Sequence, residues 1–278
     1  CLLHKLQLSV PIVYTVHRLF SVEANWSKGE YKNTRDFKLH YKLNETCEKE
    51  LLHTAKRIIT VSQQTATECY DKYGYAYADK IRVIYNGVKA PTDDLSKEAT
   101  QRRLIYVGRL VKIKGIFSLL EAMRFITSDI ELAIVGDGPM KGQLTREIKR
   151  SGLDRRVSLL GSMSHPDVYR EIARSYALIL PSYHESQGMV INEAHILGKP
   201  VIASNNSGIR EMVIHGQDGL LFRAGNALHM ASTVHQIFND PDMAYRLGRK
   251  GKEKAYREFL WENIAEQTEK VYNEATRA

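Results

Sequence analysis

The sequence has few cysteines, no long apolar run and no repeats, and each shortage excludes a class of protein. Its three cysteines, Cys1, Cys47 and Cys69, show neither a disulfide framework nor the paired spacing of a zinc site. No apolar stretch approaches the roughly 20 residues that a membrane-spanning helix needs. No repeat period or low-complexity tract stands out. We therefore expect a globular protein of a reducing compartment that binds no metal.

Basic side chains outnumber acidic ones by 40 to 32, which gives a formal net charge of +8. The excess is spread along the chain, and no basic run is interleaved with aromatics, so the sequence does not indicate nucleic-acid binding. A solvated surface is one explanation. The other explanation of the positive charge is attraction to anionic ligands, either nucleoside diphosphates or the surface of an anionic membrane. The expected location is cytoplasmic, with the inner face of the membrane as the alternative place.

Strand-like and helix-like segments alternate along the chain, which predicts an α/β fold with parallel sheets covered on both faces. The clearest strands are predicted at residues 103–107, 131–135, 157–160, 176–180, 201–203 and 220–222. A shorter succession of strands and helices is predicted over residues 11–85, with helices at 39–57 and 62–73. Ser62 is predicted as the N-cap of the second of these helices. Residues 226–278 are predicted to be helical, with breaks at Asp240-Pro241 and near Phe259.

The polar stretch 89–101 contains Pro91 and few apolar residues, and is predicted to be a linker. We therefore predict two Rossmann-like domains. Residues 1–90 form the C-terminal part of the first, whose opening strands are missing, because the chain begins at Cys1 just before a strand. Residues 91–258 form the second domain. Residues 259–278 form a closing helix that either stays on the second domain or crosses back to the first.

A distinctive segment, residues 181–204, follows the predicted strand that ends at Leu180. Glu185 lies in the loop at the carboxyl end of this strand, Gly188 opens a helix, and Glu193 lies in its second turn. The N-terminus of a helix offers free N–H groups and about half a unit of positive charge, and glycine lets an anion approach closely. Carboxylates accept hydrogen bonds from sugar hydroxyls. The segment therefore predicts a site for a sugar diphosphate, although either glutamate alone is explained as an ordinary helix charge.

This segment resembles the Glu-x7-Glu motif of glycosyltransferase family 4, the retaining transferases of GT-B fold. Four further stretches resemble that family in the same order along the chain: residues 103–116, 132–139, 198–204 and 208–222. The resemblance is strong over residues 80–225 and weaker over 10–75. It implies a GT-B fold, in which residues 1–90 belong to the acceptor-side domain and residues 91–258 bind the nucleotide-sugar donor.

The resemblance also implies roles for individual residues. Arg109 and Lys114 would bind the donor's diphosphate and stabilise the negative charge that grows as the glycosidic bond breaks. Glu193 would hold the ribose hydroxyls, and Glu185 would contact the transferred sugar. The remaining donor-binding residues that it implies are Gly108, Gly136, Gly188, and the N–H groups of Met189 and Val190.

Three of these assignments have simpler alternatives. Lys114 taken alone is explained as a surface lysine, although its pairing with Arg109 and Gly115 just after a strand favours the functional role. The turn at Gly136 needs glycine for backbone reasons alone, and Pro139 suits the first turn of the helix that follows. His17 follows the first predicted strand. In the family a histidine at such a strand end reaches the cleft near the reacting sugar, whereas an isolated histidine is more often structural.

The sequence departs from the family at Gln187, where an aromatic is common, and at His195, where an apolar residue is usual. Neither changes the spacing of the two glutamates, so the departures concern the choice of donor sugar and not the type of reaction. The glycine-rich loop of the family's first domain is not found, and we expect it in the missing N-terminal stretch.

The predicted activity is therefore transfer of a sugar, with retention of configuration, from a UDP, GDP or ADP sugar to a hydroxyl of a carbohydrate, lipid or small molecule. No cofactor or metal is expected, because basic residues can replace a metal as the diphosphate clamp. The site is expected between the domains, with closure on donor binding. The alternatives are a nucleotide-sugar epimerase, a sugar phosphorylase, or a non-catalytic donor-binding module.

Overall fold

The chain divides into two compact units, Cys1–Asn86 with Trp261–Ala278, and Gly87–Leu260. The computed structural model describes residues 10–19, 35–92, 95 and 101–277, with the backbone alone for residues 35–40. The predicted domain boundaries at residues 90 and 258 lie within a few residues of the division into units. The predicted linker at residues 89–101 and the start of the chain lie largely outside the described residues.

In its described residues, the first unit contains a parallel sheet of three strands in the order β1-β2-β3. Its elements are β1 (Val13–Val16), α1 (Arg35–Thr54), β2 (Arg57–Thr60), α2 (Gln63–Tyr73) and β3 (Ile81–Val83). The predicted N-cap is confirmed, since the Thr65 N–H donates to the Ser62 hydroxyl at 3.1 Å. The helix predicted to run to residue 57 ends earlier, because Arg57 already pairs with β1 as the first residue of β2.

The second unit is built on six parallel strands, and its core lies between this sheet and the helices on its faces. The strands are β4 (Arg103–Val107), β5 (Glu131–Val135), β6 (Val157–Gly161), β7 (Ala177–Leu180), β8 (Val201–Ser204) and β9 (Gly219–Phe222). The helices are α3 (Ile116–Met123), α4 (Lys141–Arg150), α5 (His165–Arg174), α6 (Met189–Ile196), α7 (Ser207–Met212), α8 (Ala227–Asn239) and α9 (Pro241–Glu258). The predicted parallel α/β architecture is confirmed.

The strand order of this sheet, β6-β5-β4-β7-β8-β9, reverses direction between β4 and β7. Open parallel sheets bind ligands in the crevice outside the carboxyl ends of the strands at such a reversal, because the flanking loops part there. The loops that follow β4 and β7 are therefore the expected walls of a binding site. All four residues of β7 are buried, as expected for a central strand covered on both faces.

Two glycines allow the loops at this edge to touch backbone to backbone. Gly115 has φ +68°, and a Cβ there would collide with the Pro181 carbonyl of the loop after β7. Gly136 has φ +134°, and a Cβ there would collide with the Gly108 carbonyl. The Tyr183 N–H also donates to the Ile113 carbonyl at 2.8 Å. The loops after β4, β5 and β7 thus form one packed surface. The close approach to Gly108 is a backbone reason for glycine at position 136, as in the structural alternative given above for Gly136.

The closing helix, α10 (Trp261–Arg277), belongs to the first unit. Its Ile264 and Val271, seven residues apart on one helix face, pack with Ile59 and Ile84 of that unit. Its Glu274 accepts hydrogen bonds from Arg57 at 3.0 Å and from Arg82 at 2.9 Å. The predicted breaks in the helical region 226–278 are confirmed. Within the described part of the chain, no helix is long and apolar enough to cross a membrane.

Candidate functional site

Lys114 and Glu185 form an ion pair at the carboxyl edge of the large sheet. The Lys114 Nζ lies 2.5 Å from the Glu185 Oε1, and 13% and 8% of the two side chains are exposed. Lys114 ends a short 3-10 turn, Lys112–Lys114, in the loop after β4, and Glu185 lies in the loop after β7. The Ser182 hydroxyl donates to the same carboxylate oxygen at 2.9 Å. The reversal between β4 and β7 is thus what brings this cation and this carboxylate together.

Tyr106, the fourth residue of β4, supports the loop that carries Arg109. Its buried hydroxyl donates to the Arg109 carbonyl at 3.0 Å. Burial raises the pKa of Tyr106, and the charge of Glu185 raises it further, so the phenol remains a proton donor. The Gly108 N–H donates to the Val135 carbonyl at 3.0 Å, and the Arg109 side chain is exposed. Gly108 and Arg109 therefore share the edge that holds Lys114, Glu185 and the Gly136 turn.

The N-terminus of α6 opens onto this edge. Gly188 is its N-cap residue with φ +77°, in the left-handed region that favours glycine, and no side chain of the described residues caps the helix. Met189, the first helical residue, is 46% exposed. The first N–H groups of a helix have no acceptor within the helix, and they carry the positive end of its dipole. Gly188, Met189 and Val190 therefore present backbone donors that an anion can bind.

Glu193 lies in the second turn of α6, as predicted, with 13% of its side chain exposed. Its Oε1 lies 3.2 Å from the Nε2 of His165, the first residue of α5. Burial raises the pKa of Glu193, and the interaction with His165 lowers it, so these two effects oppose each other. A largely buried carboxylate with capacity for further hydrogen bonds suits hydroxyl groups as ligands.

Behind the site, α6 is fixed by a buried polar cluster. His195 is fully buried and its Nε2–H donates to the Asp218 carbonyl at 2.9 Å, while Asp218 pairs with Lys254 of α9 at 3.0 Å. Burial lowers the pKa of His195 to about 4, so the ring is neutral at neutral pH. His195, one of the two departures from the family pattern, thus connects α6 to the loop before β9.

The remaining predicted site residue, His17, lies in the first unit. It follows β1 directly, and its side chain is exposed. All the other predicted site residues lie in the second unit at the carboxyl ends of β4, β5 and β7 or on α6. Among the described residues, no group of three or more His, Cys, Asp or Glu side chains could hold a metal ion.

Two residues of this site were not predicted from the sequence. His165 reaches Glu193 from a different helix, and Ser182 fixes Glu185 from within the same loop. Ser182 lies inside the segment 181–204, where its position next to the strand end was the available signal. His165 had no comparable signal, because a polar first residue is ordinary in any helix that starts Ser-x-Pro.

Two family profiles match the sequence. Residues 92–254 match the family described as Glycosyl transferases group 1, and residues 1–90 match Glycosyltransferase Family 4. Among curated relatives, the glycogen synthase of Mycobacterium tuberculosis is 28% identical over 96% of this chain and 64% of its own length. The D-inositol 3-phosphate glycosyltransferase of Corynebacterium efficiens is 27% identical over 97% of this chain and 67% of its own length. The chain therefore spans 64% of the length of that glycogen synthase.

Solved structures have the same fold. The sucrose-phosphate synthase of Thermosynechococcus elongatus matches with a TM-score of 0.81 and 27% identity, over 98% of this chain and 69% of that one. HepE of Anabaena, in complex with UDP and glucose, matches with a TM-score of 0.80 and 24% identity, over 95% of this chain and 71% of the HepE chain. The predicted GT-B fold class is confirmed by these neighbours. Because the group 1 profile covers more than half of the sequence, the chain belongs to the family of glycosyl transferases group 1.

Proposed function

We propose that the chain binds a nucleoside diphosphate sugar and transfers its sugar, with retention of configuration, to an acceptor hydroxyl. The observation that carries the proposal is the Lys114–Glu185 pair at the strand-order reversal. It lies with the N-terminus of α6, which no side chain in the described part of the chain caps. The Anabaena structure of the same fold contains UDP and glucose, which supports a nucleotide sugar as the donor.

The diphosphate is assigned to the basic wall of this edge. Lys114 has three donors, of which one is directed to Glu185, and Arg109 adds a second, exposed cation. As the glycosidic bond breaks, negative charge accumulates on the departing diphosphate. Fixed cations and helix N–H groups stabilise that charge more than the charge of the ground state, which lowers the barrier.

The two carboxylates are assigned to hydroxyl groups of the donor, Glu185 to the transferred sugar and Glu193 to the ribose. Glu185 is already tied to Lys114 and Ser182, so it is a poor candidate for a covalent nucleophile. The resemblance to the family supplies the retention of configuration and the independence from metal. In the proposed reaction the departing phosphate helps to take the proton of the acceptor.

The first experiment is a screen of UDP, GDP and ADP sugars with common sugar and lipid acceptors, run in parallel with and without EDTA. We expect release of one nucleoside diphosphate and, by NMR, a product with the anomeric configuration of the donor. An inverted product contradicts retention, and activity that EDTA abolishes contradicts metal independence. Isomerised donor without acceptor would indicate an epimerase, and a requirement for inorganic phosphate would indicate a phosphorylase.

The second experiment tests the site itself. Glu193→Gln removes the charge of the ribose-binding carboxylate, and we expect at least a ten-fold loss of nucleotide affinity in calorimetry, the size typical of one charge-assisted hydrogen bond. Glu131→Gln is the matched control, because Glu131 is exposed at the amino end of β5, the opposite edge of the sheet. Equal affinity of parent and Glu193→Gln for UDP, GDP and ADP would overturn the site.

A further inference from the structure

We propose that His165 is a positioning residue that holds the Glu193 carboxylate in the orientation needed by the donor's ribose. The inference rests on the proposed function, because it assumes that Glu193 receives the ribose hydroxyls. It concerns a residue on α5, outside the loop-and-helix segment that contains both glutamates.

The contact between the two side chains is direct. The His165 Nε2 lies 3.2 Å from the Glu193 Oε1. A carboxylate oxygen accepts, so this ring nitrogen carries the hydrogen and donates to it. This hydrogen bond restrains the rotation of the carboxylate, and in the proposal Oε2 is the oxygen left to accept from the ribose 2′- and 3′-hydroxyls.

The His165 ring is itself held in place. It packs on the Tyr169 ring, one helical turn further along α5, with centroids 4.6 Å apart. The Tyr169 hydroxyl in turn donates to the Lys89 carbonyl at 2.8 Å. The Ser164 hydroxyl accepts from the Asp167 N–H and fixes the start of the helix. The imidazole therefore has a supported position and not the freedom of an ordinary surface side chain, although 60% of it is exposed.

The burial of Glu193 explains why such support matters. A carboxylate that is 13% exposed is costly to charge, and burial raises the pKa of Glu193. The donor from His165 offsets part of that cost and favours the ionised form, which accepts stronger hydrogen bonds than the neutral acid. The remaining titratable neighbour with a resolved interaction is Tyr169, whose pKa is raised by burial and by Glu193, so it stays neutral.

The test compares ribose and deoxyribose ligands on the full 278-residue chain. Calorimetry with UDP, GDP and ADP selects the nucleotide that the parent binds most tightly, and its 2′-deoxy and 3′-deoxy counterparts are then titrated. We expect His165→Ala to weaken the ribonucleotide about five-fold and the deoxy forms less than two-fold, because only the ribose contact is affected. His165→Gln retains an N–H donor at similar reach, and we expect it to restore most of the lost affinity.

Two further variants make the result specific. In a Glu193→Ala background, His165→Ala should cause no additional loss, because its target is gone. His53→Ala is the matched control, since His53 lies exposed in the last turn of α1 in the other unit. Should His165→Ala fail to fold, His165→Asn, whose amide is too short to reach Glu193, takes its place in every comparison.

The outcomes separate the two proposals. If Glu193→Ala weakens nucleotide binding and His165→Ala does not, the positioning role is wrong and the proposed function stands. An equal loss for ribose and deoxyribose ligands in His165→Ala also overturns the positioning role, since it indicates a general change of the site. If Glu193→Ala binds UDP, GDP and ADP as the parent does, the proposed site fails together with the inference.

Discussion

Lys114 and Glu185 illustrate how one contact can serve both stability and chemistry. Both side chains are largely buried, so removing one partner leaves a charge without compensation, which costs on the order of 3 kcal/mol in the free energy of unfolding. A loss of activity in a single variant therefore does not distinguish a ligand-binding role from a structural one. The two roles separate only when stability and activity are measured in the same set of variants.

We predict that Lys114→Ala lowers both the melting temperature and turnover, and that adding Glu185→Gln restores much of the stability but none of the turnover. The amide removes the buried charge, whereas the cation proposed to bind the diphosphate is still missing. Differential scanning calorimetry and a nucleotide-release assay check this. Lys149→Ala, which changes an exposed lysine in the last turn of α4, is the control and should match the parent. Turnover that recovers together with stability would show that Lys114 is structural.

Most residues of the candidate site were named from the sequence, but their contacts could not be predicted from it. Glu185, Gly188 and Glu193 follow a strand at a recognisable spacing. In contrast, Lys114 and Glu185 are 71 positions apart, and His165 and Glu193 are 28 apart. The first contact depends on β4 and β7 being neighbours in the sheet, and the second depends on the packing of α5 near α6. No local sequence pattern predicts either arrangement.

At the scale of elements, two glycines of α9 allow this helix to pack closely against α6 and the loop that follows it. A Cβ on Gly248 would collide with the Gly198 carbonyl, and one on Gly251 would collide with the His195 ring. α9 packs on α6 through this close approach. Because α6 carries Glu193, the position of the carboxylate proposed to bind ribose depends on these two glycines of a neighbouring helix.

We predict that Gly248→Ala destabilises the chain by about 1–3 kcal/mol, although alanine favours helices, because the clash is with backbone that cannot move aside. Gly142→Ala in α4 is the control. A Cβ there meets only the Arg146 guanidinium at an ordinary 3.8 Å, so this variant should be neutral or gain a few tenths of a kcal/mol. Chemical denaturation measures both, and equal effects would contradict the packing argument.

His195 gives this region a defined response to acid. Its folded-state pKa is about 4, whereas an unfolded histidine titrates near 6.5, so stability is full above about 6.5 and falls as the pH drops towards 4. The loss should reach about 1.4 kcal/mol per pH unit across this window. The charged groups facing the ring are Asp218 and Lys254, and their pair is present in parent and variant alike.

The measurement is urea denaturation of the parent and of His195→Met between pH 7.5 and 4.5. We expect the stability difference between them to shift in favour of the methionine variant as the pH falls, because methionine takes up no proton. A pH-independent difference would show that His195 is not excluded from protonation in the folded chain.

Helices with a strong amphipathic pattern and clear breaks were predicted better than the short helix α7. The three helices α8, α9 and α10 were predicted with their breaks, because Asp240-Pro241 and the chain around Phe259 interrupt a strong amphipathic pattern. The six-residue α7 was not predicted as a helix. Its sequence includes Gly208, which is disfavoured in helices, and is needed there because a Cβ would collide with the Glu185 carbonyl. A tertiary contact thus overrides the local preference.

At the scale of the whole molecule, the second unit has a hydrophobic core of its own, drawn from residues 104–247. We predict that residues 87–260 alone fold cooperatively and bind the nucleoside diphosphate within about ten-fold of the full chain, because the assigned donor residues lie there. Thermal melting and calorimetry of this fragment check the prediction. A fragment without a cooperative transition, or with far weaker binding, would show that the unit depends on the rest of the chain.

The return of α10 to the first unit has a consequence for biosynthesis. Ile59 and Ile84 pack with Ile264 and Val271, which leave the ribosome only after the entire second unit has been made. At about 5–20 residues per second this delay lasts several seconds to tens of seconds. We expect the nascent first unit to expose the apolar residues Ile59 and Ile84 during that interval, which favours aggregation or chaperone binding until α10 is available to cover them.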